Sequence, residues 1–263
     1  MIWQLKTKRY DNFEKPLLMG IVNATPDSFS DGGCFFEPEQ AVAHGLDLLK
    51  NGADLLDIGG ESTRPGSDSV STEEELRRIV PVISGLLQKT NGTCVLSIDT
   101  TKAAVAREAI AAGAEIVNDI SACLFDPEMI GVLRETGAAV CLMHTQGRPK
   151  TMQLCPTYPG DDPVSTVFDF LRTRIDELVS CGIVRDKIIV DPGLGFGKTY
   201  EHNHRLIREI AKFHDLKRPV LVGHSRKSFL KTMYPDLTRD AATTELTRYL
   251  VSQNIQVLRV HEI

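Results

Sequence analysis

The sequence has 263 residues, 42% of them hydrophobic and 25% charged, with a net charge of -5. That length admits one large domain or two small ones, and the composition excludes a disordered chain. The mild acidic excess argues against a nucleic-acid partner, which requires basic surface, while leaving room for a compact anionic substrate held by local positive charge.

Cys34, Cys94, Cys123, Cys141, Cys155 and Cys181 are widely spaced with no CxxC pair, so they read as reduced thiols of a cytoplasmic protein. Neither the N-terminal MIWQLKTKRY nor any later run has the apolar length of a signal peptide or a membrane span.

Residues 16–23 (PLLMGIVN) are too continuously apolar for a half-exposed strand and predict one buried on both faces, as in a parallel sheet. A helix over 37–50 follows, with Ala41, Leu46 and Leu49 among polar partners and Gly52 beyond its end. Residues 53–60 (ADLLDIGG) form the second strand, and 61–70 (ESTRPGSDSV) a loop long enough to have a function of its own. A helix over 71–89 is expected to open with a capping box of Ser71 and Glu74 and to bend at Pro81. The alternation continues with strands at 94–99, 114–119, 138–144, 187–191, 219–225 and 255–261. Helices are expected over 102–113, 127–135, 164–181, 201–213 and 239–252, with a proline-rich stretch at 145–163.

Eight strands alternating with seven helices, uninterrupted by any linker, make a single α/β domain spanning residues 1–263. The count favours a closed (β/α)8 TIM barrel over a doubly wound sheet. The sheet alternative also calls for GxGxxG after the first strand, where Asn23, Ala24, Thr25 and Pro26 stand instead. The chain stops at Ile263, two residues past the eighth strand, so the barrel is expected to lack its final C-terminal helix.

In such a barrel the chemistry sits at the C-terminal strand ends. Those ends carry Asn23, Asp57, Asp99, Asn118 with Asp119, His144, Asp191, Ser225 to Lys227, and Arg259 with His261. Side chains two apart on a strand share a face, so Ser97 with Asp99, and Arg259 with His261, can both point into the mouth. Asp99, Asn118 and Asp191 suit the donor-rich edge of a planar nitrogen heterocycle. Arg64, Arg259, His261 and Lys227, with Asn23 and the Thr63 hydroxyl, suit phosphate oxygens. Each residue alone has a plainer reading: Asp99 as a helix N-cap, the loop cations as solvated charges, residues 23–33 as an ordinary turn. Their chemical complementarity at almost every strand end favours one site. Phe29 and Phe196, in glycine-bearing loops, suggest an aromatic ligand or a closing cover.

These residues fall into runs that resemble one family. MGIVNATPDSFSDGG (19–33), DIGGESTRPGS (57–67), SIDTTKAAVA (97–106), VNDIS (117–121), LMHTQGRPKTMQ (142–153), DPGLGFGKT (191–199), GHSRKSF (223–229) and RVH (259–261) resemble, in order and spacing, the motifs of the dihydropteroate synthases. The resemblance covers nearly the whole chain. It implies condensation of 6-hydroxymethyl-7,8-dihydropterin pyrophosphate with p-aminobenzoate, by an SN1-like route, to 7,8-dihydropteroate and pyrophosphate in folate biosynthesis.

The resemblance further implies that Asp99, Asn118, Asp191, Lys227 and Met143 hold the pterin. Asn23, Thr63, Arg64, Arg259 and His261 would hold the pyrophosphate, with Asn23 also binding Mg²⁺. Phe29, Pro65, Phe196 and Ser228 would surround p-aminobenzoate, and the first two loops would close to bring in Asp31 and Arg64. Catalytic roles then fall to Asp31, Arg64, Asp99, Asp191 and Lys227. No nucleic-acid or membrane partner is implied; a homodimer is, formed in the family by helices near the end of the barrel.

Three positions depart from the family pattern: Ala122 and Cys123 stand where glycine is usual, and Thr145 replaces a common methionine. A pterin-binding methyltransferase barrel shares the ring-holding residues but lacks the SRKSF loop and has no need of the TPDSFSDGG run. A catalytically silent pterin-binding scaffold would be expected to have lost Arg64 or Lys227, and both are present.

Overall fold

Apolar runs with no polar alternation must be covered on both faces, and in the computed structural model, which describes residues 1–25 and 38–263, they line the wall of a barrel. The strands are β3 (Leu17–Asn23), β4 (Leu55–Gly59), β5 (Val95–Asp99), β6 (Ile116–Asp119), β7 (Ala139–Met143), β8 (Ile188–Asp191), β9 (Leu221–Gly223) and β10 (Val257–Val260). All pair in parallel in the order β8-β7-β6-β5-β4-β3-β10-β9. A parallel bridge between Val190 and Val220, with Val190 N donating to Pro219 O at 3.0 Å, closes the ring.

Outside lie α1 (Pro38–Lys50), α2 (Thr72–Lys89), α3 (Ala103–Ala111), α4 (Met129–Thr136), α5 (Pro163–Ser180), α6 (Tyr200–Arg208), α7 (Leu230–Met233) and α8 (Arg239–Ser252). Only residues 261–263 follow β10 in this chain. Among the described residues no helix is long and apolar enough to cross a membrane.

Three local expectations are corrected. Ser71 does cap α2, accepting from Glu74 N at 3.2 Å, but the Glu74 carboxylate turns to Arg77 and Arg78 instead of returning to the cap. Two arginine forks one turn away outcompete a single backbone N–H. The helix also runs unbroken through Pro81, whose ring is exposed and displaces nothing in the core. The helix expected over 201–213 ends at Arg208 and tightens into a 3₁₀ segment, Ile210–Leu216.

Two short strands carry no periodic signal in the sequence. β1 (Trp3–Gln4) and β2 (Arg9–Tyr10) form an antiparallel hairpin, and its loop is tied to the start of β6 by Thr7 N and Oγ1 donating to Glu115 at 2.8 and 2.5 Å. The hairpin places Trp3 and Leu5 against Leu17, Met19, Leu55, Val95, Ile116, Ala139, Cys141, Ile189, Leu221 and Val257, so it plugs the barrel floor. Trp3→Ala is expected to cost about 3–5 kcal/mol of unfolding free energy in urea titration followed by circular dichroism. A loss under about 1 kcal/mol would contradict the plug.

Candidate active site

The inward residues change character two positions further along each strand, which is what a period of two requires of a barrel with an apolar floor and a polar mouth. Above Leu55 stands Asp57, above Val95 stand Ser97 and Asp99, above Ile116 stands Asn118, above Ile189 stands Asp191, and above Val257 stands Arg259. Register aligns them, with Asn23 beside Gly59, Gly59 beside Asp99, Asp99 beside Asn118, and Met143 beside Asp191.

Arg259, grouped by sequence with the anion residues, reaches into the ring-holding carboxylates. Its Nε donates to Asp57 Oδ2 at 2.6 Å and its Nη2 to Asp99 Oδ2 at 2.7 Å. Asn118 Nδ2 donates to the same Asp57 oxygen at 2.9 Å. Burial alone would lower the Arg259 pKa, but Asp57 and Asp99 reverse this and leave it raised, so the guanidinium is a fixed charge. Asp57 thus orients both Arg259 and Asn118; the sequence placed it at a strand end but gave it no role.

Three further acceptors at this mouth are partnerless. Asp99 Oδ1, Asp57 Oδ1 and Ser97 Oγ are buried with no hydrogen-bond partner among the described residues. Buried acceptors left unpaired cost free energy, and their concentration at one mouth marks where a donor-bearing ligand would be held. Asp191 is also buried, with Oδ1 accepting from Gly193 N at 2.7 Å. A Cβ at Gly223 would stand 3.8 Å from Asp191 Oδ2 and 3.9 Å from the Arg259 Cδ, so the glycine leaves space between them.

Asp99 is not a helix cap. Lys102 is the N-cap residue of α3, and the first free amide, Ala103 N, donates to Asp126 at 2.8 Å. Burial first, then the nearby acids against the pull of Arg259, push Asp99 from 3.8 up to about 7; burial likewise raises Asp191 to about 6. Such a carboxyl binds its proton more tightly folded than unfolded. Its contribution favours the fold at acid pH and is withdrawn as the pH climbs from about 4 to about 7. The melting temperature of Asp99→Asn relative to wild type is therefore expected to be higher at pH 8 than at pH 5, and an equal difference at both would contradict the buried charge.

An apolar wall of Ile120, Met143, Met152 and Phe196 flanks these acceptors. The Lys227 ammonium lies 4.0 Å from the centroid of the Phe196 ring, a cation–π contact. Burial, followed by the Arg259 charge, lowers Lys227 to about 8. His261 Nδ1 sits 3.0 Å from Ser225 Oγ; burial first and then the Arg259 charge lower its pKa to about 3, so the ring is neutral at pH 7.

At the rim, Asn23 and Thr63 are half-buried, while Arg64, Pro65 and Ser228 are exposed. The Arg64 loop is tied down on its far side: Gly66 N donates to Pro149 O at 3.0 Å and Lys150 pairs with Asp68 at 2.6 Å. Beneath that loop, Thr63, Asp99, Ile120 and Arg148 are among the residues around a cavity of about 230 Å³. Phe29 and Asp31 lie outside the described residues. Sequence reasoning missed Lys198, which is buried behind Phe196; a lysine ending a glycine-rich loop carries no signal to separate it from a phosphate-binding one.

The two departures from family glycines have a backbone consequence. Ala122 and Cys123 take φ of 53° and 62°, the left-handed region that favours glycine. The turn is held by Asp119, whose carboxylate accepts from Ser121 N at 2.7 Å and Cys123 N at 3.2 Å. Cys94, Cys123, Cys141, Cys155 and Cys181 are free thiols, and Cys34 lies outside the described residues.

This parallel barrel, with carboxylate and amide acceptors buried beside an apolar wall, belongs to the family described as "Pterin binding enzyme", whose sequence model matches residues 19–261. Among curated relatives, the dihydropteroate synthase of Escherichia coli K12 is 41% identical over 250 residues, covering 94% of this chain and 87% of that protein. Among solved structures, Xanthomonas albilineans dihydropteroate synthase with 4-aminobenzoic acid superposes with a TM-score of 0.87 at 42% identity, covering 95% of this chain and 88% of the other. The same enzyme in complex with 7,8-dihydropteroate gives 0.86 at 37% identity, covering 100% and 94%. Within the pterin-binding family, the chain stands with the dihydropteroate synthases.

Proposed function

We propose that the chain condenses 6-hydroxymethyl-7,8-dihydropterin pyrophosphate with p-aminobenzoate to 7,8-dihydropteroate and pyrophosphate, a step of folate biosynthesis. The observation that carries this reading is the array of partnerless buried acceptors, Asp99 Oδ1 and Ser97 Oγ, beside Asn118 and Asp191. A pterin presents amine and ring N–H donors along one edge, which such acceptors fix in position. Met143 and Ile120 supply the flat apolar wall the bicyclic ring needs.

Asp99, Asn118, Asp191 and Lys227 hold the ring, and the carbon–oxygen bond at its exocyclic methylene breaks with the electron pair leaving on pyrophosphate. The electron-rich dihydropterin spreads the positive charge, and the Asp99 and Asp191 carboxylates stabilise it. Arg64, Thr63 and Asn23 at the rim meet the departing pyrophosphate, with His261 and the Arg259 charge deeper in. The p-aminobenzoate nitrogen then attacks the methylene carbon and sheds its proton. This amine is neutral at pH 7, so the step requires no strong base. Pro65, Ser228 and Phe196 receive its ring, which helps to keep water from the cation.

Mg²⁺ fits the donor set. Among the described residues no cluster of three acids, histidines or cysteines forms a metal cage, whereas Mg²⁺ characteristically takes few protein ligands and fills its shell from phosphate and water. The Asn23 side-chain oxygen is the ligand this chain would offer, and the ion supplies charge neutralisation of the leaving pyrophosphate. A cytoplasmic homodimer completes the reading, with light scattering as its check.

Pyrophosphate release from the pterin substrate, measured with and without p-aminobenzoate, tests the proposal. Release that depends on p-aminobenzoate supports a synthase. No release, despite tight pterin binding, would point to the silent scaffold, and methyl transfer to a corrinoid would point to the methyltransferase.

A further inference from the structure

The loop after β8 is held by main-chain hydrogen bonds at several of its residues. Gly193 N donates to Asp191, Gly195 N to Asn203 Oδ1 at 2.7 Å, and Phe196 N to Gly193 O at 3.1 Å. Gly195 O accepts from Gln153 at 2.6 Å and Gly197 O from the Tyr158 hydroxyl at 2.9 Å. The loop lies so close to the loop after β7 that a Cβ on Gly193 would stand 2.0 Å from His144 O. The Phe196 carbonyl is the one satisfied by a charge, accepting from Lys198 Nζ at 2.9 Å.

Lys198 is only 3% exposed, and among the described residues its ammonium hydrogen-bonds to none of Asn23, Thr63 and Arg64 at the rim. Its ammonium has three protons and meets three acceptors: Phe196 O, His144 Nδ1 at 3.0 Å and His144 O at 3.3 Å. Burial first lowers Lys198 to about 7; in its ammonium form it only donates, so Nδ1 of His144 then accepts and the His144 ring proton sits on Nε2. The ring is itself enclosed, edge-on to Phe170 at 4.9 Å and 6.0 Å from Tyr158. Burial first, then the Lys198 charge, hold His144 well below its ordinary pKa and so in the neutral form this contact requires. A buried charge is costly unless fully paired, so its retention here needs a reason beyond packing.

We propose that Lys198 is a positioning residue for this reaction: tied to His144, its ammonium fixes the main chain of Phe196, and with it the ring that walls the p-aminobenzoate site and underlies Lys227. The geometry gives a direct chain of contacts, from Lys198 to Phe196 O and from the Phe196 ring to the Lys227 ammonium 4.0 Å from its centroid. The inference rests on the condensation proposed above for its substrate assignment, though not for the contacts themselves.

Lys198→Met keeps the reach of the side chain and removes its donors. The variant is expected to raise the KM for p-aminobenzoate about tenfold while the Kd for pterin pyrophosphate stays within about threefold. A residue acting through Phe196 must also be non-additive with it. Phe196→Leu combined with Lys198→Met is expected to fall within about twofold of Phe196→Leu alone, whereas independent effects would multiply. Multiplying effects, an unchanged KM, or equal losses of both substrates would overturn the proposal.

Should Lys198→Met not fold, His144→Leu, which deletes one acceptor and leaves both carbonyls, is expected to raise the same KM, and a wild-type value would overturn the proposal. A readout independent of turnover separates this inference from the proposed function. In protein labelled with fluorophenylalanine, the Phe196 resonance, assigned by its loss in Phe196→Leu, is expected to shift in whichever of the two variants folds. An unmoved resonance refutes the positioning role even if the wild type is active, while a moved one beside a wild type that makes no product supports it and refutes the condensation.

Discussion

Alanine at Asp99 or at Lys227 is expected to abolish detectable binding of the pterin pyrophosphate in titration calorimetry at pH 8. At Asp99 the substitution removes two things at once. Oδ1 is a partnerless buried acceptor awaiting a donor, and Oδ2 is one of the two oxygens that hold the Arg259 guanidinium. Breaking a buried ion pair by removing one partner typically costs about 3–5 kcal/mol of stability and releases the Arg259 guanidinium from its place, and a lost charged hydrogen bond to the ligand costs about 1.5–3 kcal/mol, or roughly 10- to 150-fold in affinity. At Lys227 the loss is of the ammonium held between the Phe196 face and the barrel acids. Near-normal binding in both variants would refute the assignment of the pterin subsite.

Arg64→Ala is expected to act differently. Arg64 is exposed on the loop after β4, near enough for its charge to act on Lys227 and His261, hydrogen-bonds to none of the buried acceptors among the described residues, and leaves the loop its tethers at Gly66 and Lys150 when removed. The arginine is therefore available to the leaving group and contributes little to holding the ring. Turnover is expected to fall about 100-fold or more, because an arginine aimed at developing charge stabilises the transition state, while the Kd for pterin pyrophosphate changes about threefold or less. Equal losses in both quantities would show that Arg64 is a ground-state binding residue and not part of a cover.

The strands of the barrel wall were legible because burial on both faces leaves a continuous apolar run, and their polar ends because a period of two is unforgiving. The β1–β2 hairpin was not legible, since strands of two residues such as Trp3–Gln4 show no period. The tightening after Arg208 escaped because a spacing of three and one of 3.6 diverge too slowly over seven residues to be told apart. At the site, the two-apart rule gave the face of Arg259 but not its partners. Which carboxylates a long arginine reaches depends on neighbouring strands, and Asp57 lies 202 positions away in the chain. Lys198 was hidden for the same reason, because its acceptors are main-chain carbonyls and a histidine from another strand end.

The proposed condensation requires one barrel mouth to hold a pterin and deliver it to an aromatic amine. Mass-spectrometric detection of 7,8-dihydropteroate from pterin pyrophosphate and p-aminobenzoate tests it most directly, with wild type and Asp99→Ala run in parallel. The expected result is product from the wild type and none above background from the variant. Absence of product from a folded wild type that releases pyrophosphate, or equal product from both proteins, would contradict it.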